Sequence, residues 1–121
     1  MAATLPPVVI TFQRPARLLN LNDRMHWRAK ANYTATWRQA AKVAALQHYA
    51  PHLGRTLVKV TLPVRTPNTR RDPSNWYPTI KAIVDGITDA GVWPDDHAGW
   101  VVTQEPTFAA GSLVTVELEP A

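Results

Sequence analysis

A chain of 121 residues with 45% hydrophobic content is sized for one domain around one modest core. It has no cysteine, which excludes disulfides, cysteine zinc sites and thiol nucleophiles and suits a reducing compartment. The net charge of +4 conceals an uneven split: residues 1–71 hold 12 of the 13 basic side chains and one acid, Asp23, for +11, whereas residues 72–121 come to −7.

That asymmetry fits a phosphate-binding surface beside an acidic site. It equally fits two halves that neutralise each other across the fold. No segment approaches the apolar length of a membrane span. Met1 to Pro7 lacks the basic flank and apolar run of a signal peptide, so a cytoplasmic protein with no membrane partner is expected.

The β-branched run Val8–Phe12 predicts a first strand. An irregular basic stretch follows from Arg14 to Tyr33, carrying Arg14, Arg17, Arg24, Arg28 and Lys30 beside Trp27, with turn chemistry at Asn20-Leu21-Asn22-Asp23-Arg24. A helix is expected to start near Thr36, which with Gln39 fits a capping box, and to continue through Trp37–Tyr49 until Pro51 and Gly54 close it. Its alanines permit close packing on a sheet or a partner helix. Leu57–Leu62 alternates, placing Val58, Val60 and Leu62 on one face of a half-buried strand.

Pro63 and Pro67 lead into a polar turn, Asn68 to Asn75. A second helix is predicted over roughly 73–90, with Asp72 as cap and Pro73 in its first position. Ile80, Ile83, Val84 and Ile87 form one apolar stripe, and Gly91 suits the C-terminal cap. Pro78 must either kink this helix or mark its true start. An acidic loop, Val92 to His97, precedes two final strands, Trp100–Gln104 and Leu113–Leu118. The expected fold is α/β (α+β), one domain over 1–121, with a small mixed sheet and two helices in the order β-α-β-α-β-β.

The block most able to carry chemistry is Arg70-Arg71-Asp72-Pro73-Ser74-Asn75, then Lys81, then Gly91-Val92-Trp93-Pro94-Asp95-Asp96. Should Asp72 and Asp96 meet, they form an all-oxygen site suited to Mg²⁺, which takes one or two carboxylates and several waters. Such an ion can serve phosphodiester hydrolysis, with Arg70 and Arg71 holding phosphates. The structural alternative is open at this stage: Asp72 caps a helix, Asp95 and Asp96 fill a turn, and the arginines are solvated. Asp85 lies four residues after Lys81, the spacing of a helical ion pair. His26, His48 and His52 form no zinc pattern, and His97 stands alone. Ser74 has no identifiable His–acid partner and is rejected as a nucleophile. Trp27 among arginines can stack on an exposed base, whereas Trp76, Trp93 and Trp100 suit a core or a dimer interface.

The same block resembles the signature of the RusA family of Holliday junction resolvases: a basic run before Asp-x-Asp-Asn, a helix with a lysine, then Gly-x-x-x-Asp-Asp. Upstream, Asn20-Leu21-Asn22-Asp23-Arg24-Met25-His26-Trp27 resembles that family's loop between first strand and first helix. The resemblance implies a homodimer that binds four-way DNA junctions and resolves them by paired symmetric nicks, using Mg²⁺, with Mn²⁺ as substitute. By this resemblance Asp72, Asp96 and Lys81 are catalytic. Asp72, Asp96 and Asp95 face the metal, and Asn75 is the motif asparagine. Arg24, Trp27, Arg28, Lys30, Arg65, Arg70 and Arg71 would contact DNA. The spacing from Asp72 to Lys81 is a few residues longer than in the family pattern. Ser74 stands where the family has its second aspartate, which removes a charge from the metal site. Three readings follow in order: a junction resolvase, a junction binder without catalysis, and a general nucleic-acid adaptor. The resemblance also suggests a bacterial, phage or prophage setting.

Overall fold

The computed structural model describes residues 7–67, 71–95, 97 and 99–121. Its elements are β1 (Val8–Gln13), α1 (Trp27–Gln47), β2 (Thr56–Val64), a 3-10 turn (Pro73–Trp76), α2 (Tyr77–Asp89), β3 (Val101–Thr103), β4 (Thr107–Ala110) and β5 (Leu113–Pro120). The sheet is mixed. β1 is antiparallel to β5 and β5 to β2, while β3 and β4 both run parallel to β2 on its other side. The described residues therefore form a small mixed α+β domain with two helices.

Period-2 patterning selects the buried face of the sheet. Ile10, Val58, Val60, Leu62, Val114, Val116 and Leu118 are all buried. The intervening positions, including Thr11, Lys59, Thr115 and Glu117, lie on the opposite, partly open face. There Lys59 pairs with Glu119 at 2.6 Å, and the hydrogen bond to Glu119 raises the lysine's pKa above its ordinary value.

The helices cover the buried face. The α2 stripe Ile80, Ile83, Val84 and Ile87 is buried as its spacing requires, and the α1 alanines Ala41, Ala44 and Ala45 are buried with Trp37. Those alanines admit α2 closely. A Cβ at Gly86 would overlap the Arg38 carbonyl oxygen and lie 2.9 Å from Ala41 Cβ, so only glycine fits this crossing. Arg38 then clamps the pair through two bonds to Asp89, Nε to Oδ2 at 2.6 Å and Nη2 to Oδ1 at 2.8 Å. Among the described residues, no helix is long and apolar enough to cross a membrane.

Four sequence expectations need correction. First, α1 begins at Trp27, not near Thr36. His26 caps it by accepting from the Arg28 amide through Nδ1 at 3.1 Å. The Thr36 hydroxyl donates to the Asn32 carbonyl one turn back, so it is mid-helix and makes no capping box. No glycine or proline interrupts 27–36, and part of the supposed irregular stretch is helix. Second, α1 ends at Gln47, before Pro51. Tyr49 takes the left-handed conformation (φ 51°), while Ala50 N–H donates to Ala45 and Tyr49 N–H to Leu46. That is a Schellman closure with tyrosine where glycine is usual.

Third, the described residues form five strands rather than the four expected. β3 pairs with Thr56–Val58 and β4 with Thr61–Val64, so residues 104–106 face only residues 59 and 60. The extra residue is a bulge that divides one edge strand into two short pieces. Pro106 and the brevity of each piece hide the pattern in the sequence. The second helix also starts later than expected. Residues 73–76 are a 3-10 turn, and Pro78 sits within the first two positions of α2, marking the true start rather than a kink.

Replacing Gly86 with Ala should destabilise the fold by about 1–3 kcal/mol in urea titration, because overpacking outweighs the roughly 1 kcal/mol gain in helix propensity. The Arg38 hydrogen bond holds the Asp89 pKa below its ordinary value. Its contribution is present above the unfolded carboxylate range, near pH ~3.9, and is lost as pH falls through the lower folded value. Wild type should exceed Asp89→Asn in stability by about 0.5 kcal/mol near neutrality, since the pair is part-exposed. The difference should close below pH ~4 in pH-resolved unfolding curves.

Candidate functional site

Two segments far apart in sequence meet at the start of α2. Leu21 N–H donates to the Asn75 carbonyl at 2.8 Å, which joins the Asn20–Asp23 loop to the Asp72–Asn75 turn. The Thr79 hydroxyl fixes this contact from below. It lies 2.8 Å from both Leu19 N and Leu19 O, accepting from the first and donating to the second, and Thr79 is fully buried. The loop itself is held by Asp23. Its Oδ2 accepts from Asn20 N–H at 2.9 Å, and its Oδ1 pairs with Arg17 at 3.1 Å.

Asp72 does what its position before Pro73 predicts. It caps the 3-10 turn, with Oδ1 accepting from Ser74 N–H at 3.1 Å and from the Ser74 hydroxyl at 2.8 Å. Ser74 therefore presents a neutral donor to the carboxylate, where an aspartate would present a second charge. Arg71 is half-buried. Nη1 donates to the Thr66 carbonyl at 2.7 Å, and the guanidinium lies 5.3 Å from the Phe108 ring centroid. Trp76 meets the same ring edge-on at 6.1 Å. Arg71 thus anchors the loop to β4 as well as contributing charge.

Lys81 forms the i,i+4 ion pair with Asp85 at 2.8 Å. Arg24, Trp27, Arg28, Lys30 and Arg65 are exposed, and the Arg28 guanidinium lies 5.2 Å from the Trp27 ring centroid. Trp27 is 67% exposed and keeps a free ring surface. Trp93 is buried in the core, with Trp76 and Trp100 partly buried against it. Asp95 is exposed in the loop after α2. Asp96 and Arg70 lie outside the described residues, so the meeting of Asp72 with Asp96 does too. Among the described residues, no three His, Asp or Glu side chains converge as a metal site.

The oxygen donors near Asp72 suit a hard cation in kind, because Mg²⁺ binds through few carboxylates and many waters. Of the three expected metal residues, Asp72 and Asp95 are described and Asp96 is not. Each histidine serves the backbone: His26 and His48 cap α1, His52 Nδ1 bonds the Gly91 carbonyl at 2.6 Å, and His97 Nδ1 accepts from Gly99 N–H at 3.0 Å.

A cleft of about 360 Å³ opens beside Ser74, lined by Leu21, Tyr77, Ile80 and the bulge residues Gln104, Glu105 and Pro106. Thr79, Tyr77, Gln104 and Glu105 carry no sequence motif. The cue for Thr79 is its position, a β-branched polar residue beside the apolar stripe of a helix. The bulge residues carry no local cue, because their placement depends on pairing with β2. Comparison of the sequence with models of known protein families finds no match, and comparison with curated proteins finds none.

Removing the Thr79 hydroxyl leaves a buried donor and acceptor at Leu19 unpaired. Thr79→Val should cost about 1–3 kcal/mol. Amide exchange at Leu19 and Leu21 should rise by more than the global loss, which separates loosening of the loop from general destabilisation.

Proposed function

We propose that this chain is a magnesium-dependent endodeoxyribonuclease of branched DNA, a RusA-like homodimer that resolves four-way junctions by paired nicks. The observation that carries the reading is the Leu21–Asn75 hydrogen bond. It joins the Asn20–Asp23 loop to the Asp72–Asn75 turn, two of the stretches in which the sequence resembles the RusA pattern. The uneven charge adds to it, since the basic half of the chain supplies the Asn20–Asp23 loop and the start of α1.

In this reading Asp72 and Asp96 hold the metal, with Asp95 beside them. Mg²⁺, or Mn²⁺ in its place, supplies water activation and charge neutralisation when bound. Lys81 reaches the scissile phosphate by exchanging its Asp85 partner for the anion, and stabilises the charge that builds there. Arg24, Arg28, Lys30, Arg65, Arg70 and Arg71 hold flanking phosphates, and Trp27 stacks at the branch. Phosphate neutralisation releases counterions, so affinity falls steeply with salt.

A second reading has its own observation. The Ser74 hydroxyl donates to Asp72, where the RusA pattern has a carboxylate. A site one charge short suits a protein that binds junctions and cuts them weakly or not at all.

Incubation of a labelled four-way junction with the protein and Mg²⁺, beside a linear duplex, tests the first reading. Symmetric paired nicks in the junction alone are expected, and Asp96→Asn should abolish them while junction binding persists. Loss of binding in that variant would assign Asp96 a structural role. Binding without nicks, with strong cleavage gained in Ser74→Asp, would establish the second reading.

A further inference from the structure

The chain between α2 and β3 carries Asp95 and Asp96, on which the proposed metal site depends. Pro94, Asp95, His97 and Gly99 are exposed there, so core packing does not set their course. The two ends of this loop are held by one short segment, residues 52–56. At the first end, Gly91 turns the chain out of α2 with φ 84°. His52 Nδ1 donates to the Gly91 carbonyl at 2.6 Å, and Leu53 N–H donates to the Val92 carbonyl at 2.7 Å. At the second end, Thr56 N–H donates to the Trp100 carbonyl at 2.8 Å. Thr56 is buried and begins β2 in register with Val101, so the brace is continuous with the sheet.

We infer that His52 is a positioning residue for the metal site: by holding the Gly91 carbonyl it sets the course of the loop that presents Asp95 and Asp96. The inference rests on the magnesium-nuclease reading above, and it gives His52 no contact with metal or DNA. Three observations carry it. The Leu53 and Thr56 bonds are made by backbone amides, whereas the His52 bond is made by a side chain chosen by the sequence. A carbonyl only accepts, so Nδ1 bears the proton and the ring is fixed in one tautomer. The ring also lies against the turn itself, since a Cβ on Gly91 would stand 3.9 Å from His52 Cε1. Opposite it, Trp93 is buried and its indole N–H donates to Thr88 Oγ1 at 2.6 Å. Trp93 thus holds the start of the loop from the core and exposed His52 from the solvent side. A bond at an exposed ring adds modestly to stability. Its larger effect is on direction, because groups that orient metal ligands change affinity by about 10- to 100-fold when removed.

The test compares wild type with His52→Ala and His52→Asn in three measurements: Mn²⁺ binding by the electron paramagnetic resonance of unbound Mn²⁺, junction binding in EDTA, and junction nicking over a Mg²⁺ series. His52→Ala should weaken Mn²⁺ binding about tenfold. His52→Asn, whose side-chain amide restores a donor near the place of Nδ1, should stay within about threefold of wild type. Junction affinity in EDTA should be the same in all three proteins. At limiting Mg²⁺, His52→Ala should lower kcat about tenfold with KM unchanged, and excess Mg²⁺ should recover the rate. Equal Mn²⁺ affinity and equal Mg²⁺ dependence in wild type and His52→Ala overturn the inference and leave the nuclease reading intact, whether or not urea titration shows a loss of stability. Weaker junction binding by His52→Ala in EDTA, with Mn²⁺ affinity unchanged, also overturns it and would assign His52 to DNA contact. Failure of wild type both to bind Mn²⁺ and to nick junctions overturns the two readings together.

Discussion

Gly86 lies under the backbone of α1 at Arg38, and the spacing of the two helices is set at that point. A side chain of any size would hold the helices apart. The small residues Ala41, Ala44 and Ala45 continue the close approach along α1, and the Arg38–Asp89 bonds fix its angle at the edge. Once the helices are this close, the sheet needs only one apolar face. Its valines, isoleucine and leucines meet the α2 stripe and Trp37 in a single core. The other face is left to threonine and charged pairs such as Lys59–Glu119.

The position of the carboxylate turn follows from this packing. With α2 held against α1, its first turn stands at a fixed place beside β3 and β4. Thr79 there reaches the loop after β1 and satisfies both backbone groups of Leu19. Arg71 and Trp76 attach the turn from the other side, on Phe108. The carboxylate of Asp72 is thus carried by an element pinned at both ends, while its Oδ1 accepts both bonds from Ser74. Such support suits a group that must present a defined geometry to a ligand.

Much of this was legible in the sequence because it depends on local pattern. The Val58-Val60-Leu62 alternation and the Ile80-Ile83-Val84-Ile87 stripe each specify one face of one element, and the structure buries both. Asp72 before Pro73 specifies a cap, and the Lys81–Asp85 spacing an ion pair. What escaped depends on partners distant in the chain. The start of α1 is set by a histidine cap and by threonines bonding backward, so Thr36 before Gln39 misleads. The break in the edge strand is defined by its register with β2 and has no composition of its own. The cleft beside Ser74 draws on three separate stretches, near residues 21, 77 and 105, and no spacing rule connects them.

The order in which the strands are synthesised differs from the order in which they lie. β5 is the last strand in sequence, yet it sits between β1 and β2 and is hydrogen-bonded to both. A ribosome must therefore deliver Val114, Val116 and Leu118 before β1 has any neighbour in the sheet. Until then the apolar faces of β1 and β2 have no strand between them, and the nascent chain depends on its helices to shield them.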